Sequence, residues 1–171
     1  CDLYLKSGKQ SECDYVLQQV KLQHKKNNKV ALLEARVLYH QNAFSQAVQV
    51  LTKALEVEKE QSLESYLVNA YLANDQAKEA AILINTLLQS YPDNLILKNS
   101  MAAALIKLGL NSQAIAVSHD ILSSNPDYIP AKYNIASAAF DDENFRVTQF
   151  FSSSIIHQDK QHIAAHMLLA K

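Results

Sequence analysis

The first constraint on this sequence is what it lacks. Its 171 residues include two Gly, three Pro and no Trp. A sheet-rich fold needs many turns, and turns draw on Gly and Pro, so their scarcity argues against one. An excess of one charge is also missing. Lys and Arg number 16 against 17 Asp and Glu, a net charge of −1. That balance leaves no electrostatic footprint for nucleic acid. No apolar run reaches the roughly 18 residues that a membrane span needs. No basic-then-apolar leader is seen. With two Gly, neither a phosphate-cradling loop nor a dinucleotide loop can be built, and no Gly-x-Ser-x-Gly elbow exposes a nucleophile. These absences point away from catalysis, and the expectation is a non-enzyme without a cofactor.

The residues that are present read as a packed helical chain. Hydrophobic residues make up 49%, and Leu and Ala together number 45. That content excludes a disordered tail, and the length suffices for a sizeable core. A chain rich in Leu, Ala, Lys, Glu and Gln favours helices throughout. Apolar residues recur at helical spacing, as in Leu63, Leu67 and Ala70, then Ile84, Leu87 and Leu88.

The strongest signal is an internal repeat. Ala47, Ala80 and Ala114 stand 33 and 34 residues apart. Four residues after each come Leu51, Ile84 and Ser118, and seven after come Ala54, Leu87 and Ile121. Pro92 and Pro126 are 34 apart, in the phrases Tyr91-Pro92-Asp93-Asn94 and Asn125-Pro126-Asp127-Tyr128. Upstream, Ala35, Ala102 and Ala136 each precede the next anchor by twelve positions. Each unit reads as helix, turn, helix, turn. The turns are expected near Asn74-Asp75, Gly109-Leu110-Asn111 and Asp141-Asp142, whose Asn and Asp are expected to cap the second helix.

This pattern resembles the tetratricopeptide repeat, a 34-residue pair of antiparallel helices. The family places small residues at positions 8 and 20, where helices A and B approach, a Tyr often at 11 and a Pro at 32. Here Tyr71, Ala80 and Pro92 fall at 11, 20 and 32 of one unit. Ala102, Gly109, Ala114 and Pro126 fall at 8, 15, 20 and 32 of the next. Val68 at a small position and Thr148 at position 20 depart from the pattern. The resemblance implies an all-α, right-handed solenoid with units near 1–27, 28–60, 61–94, 95–128 and 129–162, and a further helix starting at 163–171. In the same register Cys1 falls in mid-helix, and neither end shows the polar cap of a terminal repeat. The expectation is an internal piece of a longer array, whose apolar ends favour self-association.

Candidate chemistry is sparse. Cys1 and Cys13 fall at positions 8 and 20 and read first as small packing residues. A disulfide between them stays open, given an oxidising compartment. A lipidated Cys1 fits the register less well. Their spacing is not a zinc motif. His162 and His166 share a helix face with His157 nearby, but no Cys or carboxylate joins them, so no metal is expected. Asp141-Asp142-Glu143 reads as a turn. Lys21, Lys25, Lys26 and Lys29 read as a solvated basic loop.

The resemblance also implies a binding surface, because A helices line the concave face of such arrays. The positions facing it give Arg36, Tyr39 and His40 in one unit, Asn69 in the next, then Asn99, then Tyr133. Asn can satisfy both N–H and C=O of an extended peptide, and Arg offers charge-assisted bonds to a carboxylate. The Lys and Arg of the family's carboxylate-clamp members are missing, so a chaperone-tail binder is not expected. The expected function is a protein-interaction scaffold holding a partner peptide or helix in that groove. The alternatives are carbohydrate binding on Tyr39, Tyr133 and Phe140, or the non-catalytic part of a larger enzyme. The phrases Tyr91–Leu95 and Ile163–Ala170 resemble those of bacterial repeat lipoproteins in exopolysaccharide and exosortase-linked export. That likeness implies a periplasmic or envelope location.

Overall fold

A computed structural model describes residues 10–23 and 27–170. Among these residues the regular structure is entirely helical. In order the helices are α1 (Gln10–Gln23), α2 (Asn28–His40), α3 (Phe44–Val57), α4 (Gln61–Ala73) and α5 (Ala77–Ser90). Then follow α6 (Leu95–Lys107), α7 (Asn111–Ser124), α8 (Ile129–Asp141), α9 (Phe145–Gln158) and α10 (Ile163–Leu169). The chain divides into two compact units, Cys1–Gln76 and Ala77–Lys171. The first holds α1–α4 and the second α5–α10.

In the first unit α2 packs on α1, α3 and α4, and α3 packs on α4. Cys13 and Leu17 of α1 meet Val37 of α2, with Leu33 against them. Ala35 and Ala47 are fully enclosed, as expected where two helix backbones come closest. In the second unit α6 packs on α5 and α7, α8 on α7 and α9, and α9 on α10. The even-numbered helices there also touch one another, α6 with α8 and α8 with α10. Leu105, Ala114 and Ala138 form one core cluster, with Met101 and Ile115 packed against it. Ala80, Ala102 and Ala136 are fully buried too.

The register also explains the departures from the Ala pattern. Thr148 at the Ala position is buried, and its hydroxyl donates to the backbone carbonyl of Asn144 at 3.1 Å. A Thr can therefore sit where an Ala is usual, because its one polar atom is satisfied inside its own helix. Val68 is buried on α4. The positions of Leu51 and Ile84 in α3 and α5 become Ser118 and Ser152 in α7 and α9. Both Ser are completely buried, and neither hydroxyl has a hydrogen-bond partner.

The turns within each helix pair share one device. Asn42, Asp75, Gly109 and Glu143 all have positive φ, between 56° and 72°. The next residue then donates its N–H back to a carbonyl five residues earlier. These bonds run from Ala43 to Leu38, Gln76 to Tyr71, Leu110 to Leu105 and Asn144 to Ala139, at 2.7–2.9 Å. This closure satisfies carbonyls that a helix end leaves open. It recurs at the repeat spacing although Gly fills the left-handed position only once.

The capping expectation is corrected by the same geometry. Asn74 and Asp142 are C-cap residues of α4 and α8, not N-caps of the helices that follow. Asn111 is the first residue of α7, and its amide donates to Asp142 Oδ1 at 2.6 Å. Leu110, the N-cap residue of α7, makes no side-chain cap bond. The left-handed closure pushes the N-cap one residue further on, to positions held by Ala43, Leu110 and Asn144. Of these three, Asn144 caps, accepting from Val147 N–H. Asn27, Asn94 and His162 instead cap α2, α6 and α10. Cys1, Lys25 and Lys26 lie outside the described residues, and with them the Cys1–Cys13 pairing.

Candidate functional site

The candidate residues lie on the even-numbered helices, each thirteen residues long from α2 to α8. A helical residue four positions further on returns to nearly the same face, so each helix presents one stripe.

In the first unit, the Arg36 guanidinium of α2 lies 5.9 Å from the Tyr66 ring centroid of α4. A cation over an aromatic face is held by the ring quadrupole. Tyr39 packs edge-on against Phe44 of α3, with centroids 5.0 Å apart. His40 closes α2 and is exposed, as is Asn69 on α4. Arg36 and Tyr39 are thus supported by neighbouring rings, whereas His40 and Asn69 face solvent.

In the second unit, Asn99 of α6 is engaged by Asn134 of α8. The Asn134 amide donates to Asn99 Oδ1 at 2.9 Å and lies 3.2 Å from the Asn99 backbone carbonyl. Tyr133, also on α8, lies 5.7 Å from the His162 ring at the start of α10. The predicted surface residues of this unit are therefore tied to the next even-numbered helix.

Asn134 was not singled out in the sequence. The available signal was its place on the buried stripe of α8, three residues after Ala131 and four before Ala138, both fully buried. A polar residue on such a stripe needs a partner. Lys132 of the same helix is another, with its ammonium 3.3 Å from Ser154 Oγ and 3.4 Å from Asp127.

The other candidates are occupied structurally. His162 caps α10, its Nδ1 accepting from Ala165 N–H at 3.1 Å, and His166 Nε2 lies 3.0 Å from the Lys160 carbonyl. Among the described residues no three His, Cys, Asp or Glu side chains come together to hold a metal ion. Phe140, like Tyr39 and Tyr133, already contacts a second ring, that of Phe145 at 6.1 Å. No helix is long and apolar enough to cross a membrane among the described residues.

Successive helix pairs, mostly small residues at their crossings and a left-handed turn within four described pairs define the architecture. Solved structures share it. YrrB, described as "a TPR protein with an unusual peptide-binding site", superposes with a TM-score of 0.70 at 14% identity, over 99% of this chain and 88% of its own. The fold is that of the tetratricopeptide repeat. Two further repeat structures agree. MamA AMB-1 gives a TM-score of 0.66 at 19% identity, over 96% of this chain and 92% of its own. The P58(IPK) TPR domain gives 0.56 at 11%, over 99% of this chain and 52% of its own. No protein-family model matches the chain, and no curated protein does. The tetratricopeptide fold is an all-α solenoid of helix pairs, here about five of them. In it the even-numbered helices of this chain take the A role and the odd-numbered ones the B role.

Proposed function

We propose that this chain is a non-catalytic protein-interaction scaffold that holds a partner's extended peptide or helix against its A helices. The observation that carries the reading is the set of side chains that each unit, taken by itself, carries at the A-helix positions the repeat register turns towards a groove. Arg36, Tyr39, His40 and Asn69 supply it in the first unit, and Asn99 and Tyr133 in the second. Polar groups supported by buried or aromatic neighbours suit the main chain of an extended partner, which offers a donor and an acceptor at nearly every residue. The peptide-binding site of YrrB, on the same fold, supports the reading. The likeness of Tyr91–Leu95 and Ile163–Ala170 to export-system lipoproteins makes the bacterial envelope the compartment to test first.

The test is site-specific photocrosslinking in native cells. A crosslinking residue replaces Asn69, exposed on α4, and in a second strain Gln49, exposed on α3. A protein captured from position 69 and not from 49 supports the A-helix surface. Equal capture, or capture from 49 alone, refutes it.

A further inference from the structure

We propose that the A-helix surface of the second unit carries a hydrogen-bond donor of fixed direction, the Asn99 amide, and that Asn134 is the positioning residue that fixes it. The inference rests on the peptide-binding reading and adds the polarity of one contact.

The two ends of a carboxamide have nearly the same shape, so its orientation must be deduced from its partners. A backbone carbonyl only accepts. The end of Asn134 that lies 3.2 Å from the Asn99 carbonyl is therefore its NH₂. The Asn99 side-chain atom 2.9 Å from that same NH₂ must then be an acceptor, its Oδ1. The Asn99 NH₂ consequently points away from Asn134. Flipping Asn99 would set two NH₂ groups face to face beside a buried residue, since Asn134 is 6% exposed. Leaving a buried donor without an acceptor is costly, so the flip is opposed.

The occupant is therefore an acceptor, the backbone carbonyl of an extended peptide, and not a peptide N–H. A free asparagine on a helix surface would serve either group. This one is restricted to one by a residue that the peptide itself does not reach. Tyr133 immediately precedes Asn134 on the same helix, with its ring held beside His162.

Two measurements test this, one without a ligand. In the folded protein, side-chain amide exchange followed by NMR should be slow for Asn134 and fast for Asn99. The reverse order overturns the proposal. The second uses a peptide selected on the wild-type protein from a phage-displayed random library. Asn99→Asp keeps an oxygen towards Asn134 and turns the outward NH₂ into an oxygen, so affinity should fall at least about tenfold with little change in thermal unfolding. Asn134→Leu releases Asn99 to rotate, and affinity should fall by about threefold to tenfold. Unchanged affinity in Asn99→Asp overturns the proposal. Selection of no peptide, or of peptides whose binding perturbs only odd-numbered helices, overturns the scaffold reading itself. In that case the exchange order still decides the orientation of Asn99.

Discussion

Exchanging residues at the left-handed turn position should move stability in opposite directions at two equivalent sites. Gly109 has φ +72°, and a Cβ built on it meets nothing within 4 Å. The penalty for Gly109→Ala is therefore conformational and carries no steric part. An L-residue in the left-handed region costs roughly 1–2 kcal/mol. Against this, Ala in place of Gly reduces the entropy of the unfolded chain, worth about 0.4–1 kcal/mol. The net loss should be about 0.5–1 kcal/mol. Glu143 occupies the same place in the next pair at φ 57°, so Glu143→Gly should gain a similar amount. Asn42→Gly should gain less, because Asn tolerates this conformation better than Glu. Urea denaturation followed by circular dichroism measures all three midpoints. A Gly109→Ala variant as stable as the parent, or a Glu143→Gly variant less stable, would refute the claim that a left-handed closure is needed at every pair.

Four further outcomes follow from the packing. Ser118→Ala and Ser152→Ala each remove a buried hydroxyl without a partner, and each should stabilise the fold by about 1 kcal/mol in the same assay. Asn94→Ala removes the acceptor for Ile96 and Leu97 N–H and should cost about 1 kcal/mol in denaturation midpoint experiments. Ala136→Leu forces extra volume into a completely buried helix crossing and should cost about 1–3 kcal/mol, read as a lowered thermal midpoint. Partial burial raises the Tyr128 phenol above its ordinary 10.0. The folded state then holds the phenolic proton more tightly than the unfolded chain does. The resulting stability is present below that ordinary value and is lost as pH rises through the raised one. A Tyr128→Phe variant should show a shallower alkaline decline in a pH series.

The fold was legible because the repeat constrains residues that nothing else explains. Ala47, Ala80 and Ala114 at one spacing announce a close helix crossing that favours small side chains, and all three are buried. The turn chemistry was less legible. A closure with Gly at 109 but Asn, Asp and Glu at the equivalent places depends on the helix-end hydrogen bonds more than on residue type, so propensity misplaced the caps. The candidate surface was legible only as helix positions. That Asn99 is held by Asn134, and Arg36 set over Tyr66, depends on contacts between neighbouring even-numbered helices, which spacing within one repeat does not encode.

Binding of partners on the even-numbered helices is tested by NMR mapping of the isotope-labelled protein with the phage-selected peptide. Binding on these helices predicts shift changes centred on α2 and α4 at Arg36, Tyr39 and Asn69, or on α6 and α8 at Asn99 and Tyr133. Changes confined to the outer positions of α3, α5, α7 and α9, such as Gln49, Ile82, Gln113 and Phe150, would contradict it.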